Sequence, residues 1–142
     1  MTESILSFNL CGSLLGVDVT LVKEINRNIE FTPIPGAKEH IVGFFNMRGQ
    51  VVTLFDLAKM LNLGEMKTQD KLICIILKNP KDPDQVGFLI DSPGDVFEID
   101  VEEYEVAPAN LGEIESEYIE SVIKLKNDLL MVINSKKIFS TG

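Results

Sequence analysis

Apolar residues in this chain come in short runs, each stopped by turn-forming residues before it reaches the length of an ordinary helix. Leu6, Phe8 and Leu10 alternate with Ile5, Ser7 and Asn9, the period of a strand, which directs Phe8 and Leu10 inward. Cys11-Gly12-Ser13 reads as a turn, and Leu14 to Val19 as a second strand with a bulge at Gly16. Val42 to Met47 and Val51 to Phe55 form another pair around Arg48 and Gly49, where Gly49 supplies the positive φ of a tight hairpin loop. Leu72 to Leu77 is apolar throughout, so both faces of that strand are expected to be covered. Val86 to Ile90 returns as its partner across a proline-rich loop, Asn79 to Gln85. Asp91 to Asp95 reads as a turn before a strand at Val96, Phe97 and Ile99. Ile119 to Leu125 and Leu129 to Ile133 make a last hairpin around Lys126-Asn127-Asp128. Roughly ten short strands imply a mainly β, barrel-like architecture.

Helices are reduced to stubs. Asp18 or Thr20 is placed to cap one in which Leu21, Val22 and Ile25 share an apolar stripe, leaving Glu24 off it, toward a groove or solvent. Asp56 is placed to cap a second over Leu57 to Leu61, and Ser135 to start a terminal one over Lys136 to Phe139. Pro33, Pro35 and Gly36 make a stiff connector that cannot join a central ladder. Asn62 to Asp70 and Ala107 to Gly112 read as polar or irregular loops.

A length of 142 residues suits a single domain with a sizeable core. No apolar run approaches bilayer length and no charged-then-apolar leader opens the chain, so a cytoplasmic protein without direct membrane insertion is expected. Cys11 and Cys74 lie far apart, with no CxxC, and read as buried reduced thiols. From Asp95 to Glu120 there are ten acidic residues and no Lys or Arg, while the rest holds twelve acids and thirteen bases. That segment therefore accounts for the net charge of −9. Such a balance argues against nucleic acid and leaves room for a basic protein partner; a solvated acidic loop is the plainer reading.

Catalysis has little to work with. Ser13, Ser92 and Ser121 lack the context of a nucleophile, His40 is the only histidine, and no phosphate loop of the GxxxxGK[ST] type is present. Glu102 and Glu103 sit in a charge run. No enzyme activity, cofactor or metal is expected.

Arg48 holds a permanent charge at a turn between two apolar strands, which calls for a partner or an exposed role. One reading presents its guanidinium to a binding partner; the other pairs it with a carboxylate, Glu24 being the best placed. The residues around it resemble a known family. Asn46-Met47-Arg48-Gly49, followed by an apolar strand and Asp56-Leu57, is similar to the N-x-R-G signature of the CheW family, adaptors that couple chemoreceptors to the CheA histidine kinase. Ile5 to Glu24, Thr32-Pro33-Ile34-Pro35-Gly36, Val86 to Asp91 and Tyr118 to Asn134 resemble its other segments in order, covering nearly the whole chain.

The resemblance implies two packed five-stranded SH3-like barrels with short helices, meeting over a shared apolar interface and divided near residues 80–86. It implies a CheA-type kinase and a chemoreceptor tip as partners, at receptor arrays on the inner membrane. Carried over by residue, the receptor groove involves Val22 and Ile73 as apolar contacts, Glu24 and Arg48 as a charged pair, and Gly43 and Gly87 for close backbone approach. Thr53 departs from the family's usual proline and Pro93 from its usual valine. A regulatory fragment of a CheA or CheV-type protein, or a small-molecule-binding barrel, are the alternatives; a closed apolar pocket would favour the last.

Overall fold

The N-terminal alternation becomes β1 (Thr2–Leu10), paired antiparallel with β2 (Ser13–Asp18). The computed structural model describes residues 1–66, 71–78, 85–106, 114 and 116–141. After a three-residue 3-10 turn, Val19–Leu21, come β3 (Val22–Asn26), β4 (Ile41–Met47), β5 (Gln50–Phe55) and α1 (Leu57–Met60). There follow β6 (Ile73–Leu77), β7 (Gln85–Ile90), β8 (Ser92–Asp100), β9 (Glu105–Val106), β10 (Ile119–Lys124), β11 (Leu129–Ile133) and α2 (Ser135–Thr141). One sheet has six strands in the order β8-β1-β2-β11-β10-β9, the other five in the order β3-β6-β7-β5-β4.

Both sheets curl, and the connections show why. The two ends of the first order, β8 and β9, are consecutive in the chain and separated only by the 3-10 turn Val101–Glu103 and Tyr104. The two ends of the second, β3 and β4, are also consecutive, and Thr32 of their connection makes a bridge to Phe44. A flat sheet could not bring its edges so near. The chain changes sheet at Val19–Leu21 and again at Asp91. β7 therefore pairs with β6 and β5, and the division expected near 80–86 falls one strand ahead of the second crossing. Asp91 pins that crossing: its N–H donates to Asn9 O at 2.9 Å and its carboxylate accepts from Cys11 N at 2.7 Å.

Strand alternation sorts the apolar residues into three cores. Ile75 and Leu77 join Phe8, Leu10, Phe88 and Met131 in a core shared by the sheets, while Cys74 and Ile76 turn the other way, into a core private to the five-stranded sheet with Val52 and Leu54. Ile5, Ile123, Leu130 and Val132 fill the private core of the six-stranded one. This is why Leu72 to Leu77 reads as unbroken apolar sequence, and each such burial contributes about 1.5–3 kcal/mol. Phe8 and Leu10 are fully buried, as their alternation requires.

Several local readings need correction. Of the expected helix only the 3-10 turn Val19–Leu21 forms, capped by Asp18, while Val22 and Ile25 lie in strand β3. A register shift between Val22 and Glu24 lets Val22 and Ile25 pack on the same shared core, imitating helical spacing. Gly16 sits in unshifted pairing; a Cβ there would come within 2.5 Å of Ile5 Cγ2, so it serves packing rather than a bulge. The turn expected over Asp91 to Asp95 shrinks to Asp91, because β8 begins at Ser92. Pro93 is tolerated on this outer strand beside a register shift in β1, and Gly94 leaves room for Ser7, whose hydroxyl donates to Asp95 O at 2.7 Å. Thr53 stands between β4 and β7 in paired strand, opposite Phe44 and Val86, where a proline would remove a donor. Residues 79–84 and 107–112, read from sequence as loops, lie outside the described residues, as do 67–70 of the Asn62 to Asp70 loop.

The stubs of helix follow their caps. Asp56 accepts from Lys59 N to open α1, and Asn134 accepts from Lys137 N at the start of α2. No helix among the described residues is long and apolar enough to cross a membrane.

Candidate partner-binding surface

Met47 and Gln50 face each other across a two-residue loop in which Arg48 and Gly49 both take positive φ, 52° and 82°. This is the geometry of a hairpin turn that Asn-Gly fills with least strain. Arginine in the left-handed region costs about 1–3 kcal/mol. The guanidinium Nη1 donates to Glu24 Oε1 at 2.9 Å, with the Arg48 side chain 72% exposed and that of Glu24 28% exposed. Lys23 Nζ donates to Gln50 Oε1 at 2.9 Å beside it. Both contacts tie β3 to the tip of the β4–β5 hairpin, across the seam of the curled sheet. Glu24 thus faces Arg48 from a strand, where the sequence suggested a helix.

The other residues of the expected groove separate into two sets. Val22 and Ile73 are half-buried and pack against the shared core, at opposite ends of β6: Val22 opposite Leu77, Ile73 at the other terminus. Glu24, Ile76, Gly87, Leu54 and Gly43 form one row across the sheet. Gly87 is buried between β6 and β5, and a Cβ on it would lie 3.3 Å from Val52 Cγ1. Gly43 is buried too; a Cβ there would strike the Thr32 carbonyl oxygen and lie 2.8 Å from the Phe31 ring. The space at Gly43 is taken by the chain's own connector, a close approach that leaves no periodic trace in sequence.

The six-stranded unit offers a different surface. A cavity of about 300 Å³ is lined by Ile5 and Val132 with Ser121, Glu3, Asp18, Tyr104 and Glu120. Tyr104 donates to Glu3 Oε2 at 2.9 Å, and its hydroxyl pKa is held above the ordinary range by burial, then by Glu3 and the neighbouring carboxylates. Sequence reading missed this cluster because Glu3 and Tyr104 are joined only by the fold. The cavity is open and acidic, unlike the closed apolar pocket a small-molecule barrel would need. No group of three His, Cys, Asp or Glu able to hold a metal occurs among the described residues.

Two curled sheets sharing one apolar core, with charged loops and sheet edges at the surface, define a small β module of the two-barrel class. The chain belongs to the CheW-like domain family, whose model matches residues 4–142. It is 32% identical over 136 residues to the chemotaxis protein CheW of Bacillus subtilis (strain 168), covering 96% of this chain and 86% of that one. The chemotaxis protein CheW of Treponema pallidum (strain Nichols) is 29% identical over 140 residues, covering 96% and 82%. Among solved structures, the scaffolding protein TtCheW from Thermoanaerobacter tengcongensis superposes with a TM-score of 0.83 at 26% identity, covering 94% of this chain and 85% of that one.

Proposed function

We propose that this chain is a non-catalytic chemotaxis adaptor that joins a CheA-type histidine kinase to the cytoplasmic tip of a chemoreceptor, acting in the cytoplasm at receptor arrays. Its likeness to proteins named for chemotaxis, and to one described as a scaffolding protein, runs through both sheets. The observation that carries the receptor side is Arg48. Its backbone is strained, its side chain is 72% exposed, and an exposed ion pair contributes only about 0–1 kcal/mol. Asparagine would fill that turn with less strain, so the guanidinium serves a surface role beyond its exposed pairing with Glu24. Val22, Glu24 and Ile73 extend that receptor face, while Gly43 and Gly87 act from beneath it.

The kinase meets the other unit, at the outer edge of β8, where Val96 is 51% exposed beside Asp95 and Glu98. Beyond β1, β8 has no ladder partner among the described residues, and such an edge with an exposed apolar side chain suits addition of a neighbouring strand. The test is reconstitution with a CheA kinase and a soluble chemoreceptor signalling fragment from the same genome. A three-component complex by sedimentation, with receptor-dependent kinase autophosphorylation, is the expected result. Pairwise binding to neither partner would overturn the reading.

A further inference from the structure

We propose that Gly43 is a positioning residue: it seats the connector Ile29–Thr32 on β4 and thereby holds Arg48 at the hairpin tip against Glu24. The connector is anchored at three points. Ile29 is buried in the private core of the five-stranded sheet and its N–H donates to Leu72 O at 3.2 Å. Phe31 packs against the same core. Thr32 exchanges two hydrogen bonds with Phe44, N–H to O at 2.8 Å and Phe44 N–H to Thr32 O at 3.0 Å. That exchange is the one ladder-type pairing of the connector with β4 among the described residues.

Gly43 precedes Phe44 and makes this approach possible. A β-carbon at 43 would clash with the Thr32 carbonyl and crowd the Phe31 ring, and the first clash is with backbone, which cannot rotate away. The connector is also the covalent link between β3, which carries Glu24, and β4, which ends at Arg48. Releasing it from β4 frees the two edges of the curled sheet to part, and the opposite end of that seam is held by the Arg48–Glu24 and Lys23–Gln50 contacts. Gly43 thus acts on the surface residue Arg48 from a buried site.

The effect on partner binding rests on the receptor reading above, so the experiment separates the two. Gly43→Ala and Thr32→Pro are compared with the unaltered protein; the second removes the Thr32 N–H while leaving Gly43 in place, and decides the matter if the first does not fold. Amide exchange at Phe44 is measured, together with the response of the Arg48 guanidinium NMR signals to Glu24→Gln. Affinity for the soluble receptor fragment is measured alongside. The expected result is exchange at Phe44 faster by about tenfold or more, unchanged protection in β1 and β2, and loss of the Glu24 response. Receptor affinity falls by a similar factor. If Phe44 becomes exposed to exchange while Arg48 still responds to Glu24, the proposal is wrong. If Gly43→Ala keeps Phe44 protected and loses receptor binding, Gly43 touches the partner directly, which also overturns it. Absence of receptor binding by the unaltered protein sinks the receptor reading alone, and exchange with the Arg48 response still decides the role of Gly43.

Discussion

The β1–β2 and β4–β5 hairpins are built alike and flanked differently. Each closes through two residues at positive φ, Cys11-Gly12 in one and Arg48-Gly49 in the other. The second strand of each lies parallel to the later strand of a following hairpin, β2 beside β11 and β5 beside β7. The earlier strand of that hairpin then pairs with a short outer strand, β10 with β9 and β6 with β3. The outer flank is where they part. β1 is covered by β8 over a ladder from Thr2 to Asn9, whereas among the described residues β4 receives on that flank a single bridge from Thr32. Their charges part as well: residues 19–90 hold nine bases and eight acids, and the remainder holds four bases and fourteen acids. One unit is nearly neutral with a loosely covered flank and an arginine at its turn. The other is strongly acidic with a full outer strand. The same topology yields two unlike surfaces.

The shared core is the strongest constraint on that comparison, and the largest effect is expected there. Phe8 and Phe88, one from each sheet, are fully buried with ring centroids 5.3 Å apart. Phe88→Ala should cost about 3–5 kcal/mol. Because the lost packing belongs to both sheets, unfolding should remain a single transition by probes in either one. Two separated transitions would mean that the units are stable independently.

A pH effect of intermediate size singles out the five-stranded unit. Burial pushes the Cys74 thiol up from 9.0 to about 12, partly offset by the hydrogen bond to Asn26 backbone, with Glu24 adding to the rise. The folded state then keeps a proton that the unfolded state loses, so stability is complete below pH 9.0 and falls as pH climbs toward 12. The slope is about 1.4 kcal/mol per pH unit for this one group. Cys11 is shifted the same way, chiefly by burial, and Tyr104 adds a loss of the same sign only above its ordinary value of 10.0. Denaturant titrations of Cys74→Ala should therefore show a shallower decline from pH 9.0 upward. An unchanged slope would remove Cys74 as its source.

Much of this was legible in the chain and some was not, for physical reasons. Strands with one private and one shared face leave apolar runs, so β6, β7, β10 and β11 stood out. Asp56 and Gly49 are local signals whose partners lie within a few residues. β3 misled because the shift at Val22 and Glu24 breaks strand periodicity into helical spacing. The Thr32 bridge is one pair, too short to leave a period. Tyr104 and Glu3 meet only because β8 returns to β1. The pairing of Glu24 with Arg48 was legible from a permanent charge at a turn between apolar strands, but the strain at Arg48 was not, since its positive φ belongs to the hairpin register.

The smallest expected effect on stability tests that strain. Arg48→Asn trades an exposed ion pair for a residue that tolerates the left-handed region, and should leave the protein as stable as before or up to about 1 kcal/mol more so. A loss of more than that in thermal or urea unfolding would give Arg48 a structural role at odds with its exposure.

The central claim, two unlike surfaces on two units of one topology, is met most directly by a crossed binding measurement. Arg48→Glu alters the hairpin tip and Val96→Arg the outer edge of β8, both at exposed positions where the fold should persist by circular dichroism. Calorimetry of each variant against the receptor fragment and against the kinase regulatory domain yields four affinities. Arg48→Glu should lose the receptor by about tenfold or more and keep the kinase, and Val96→Arg should do the reverse. A single variant that loses both partners while folded, or the opposite assignment of losses, would contradict the account.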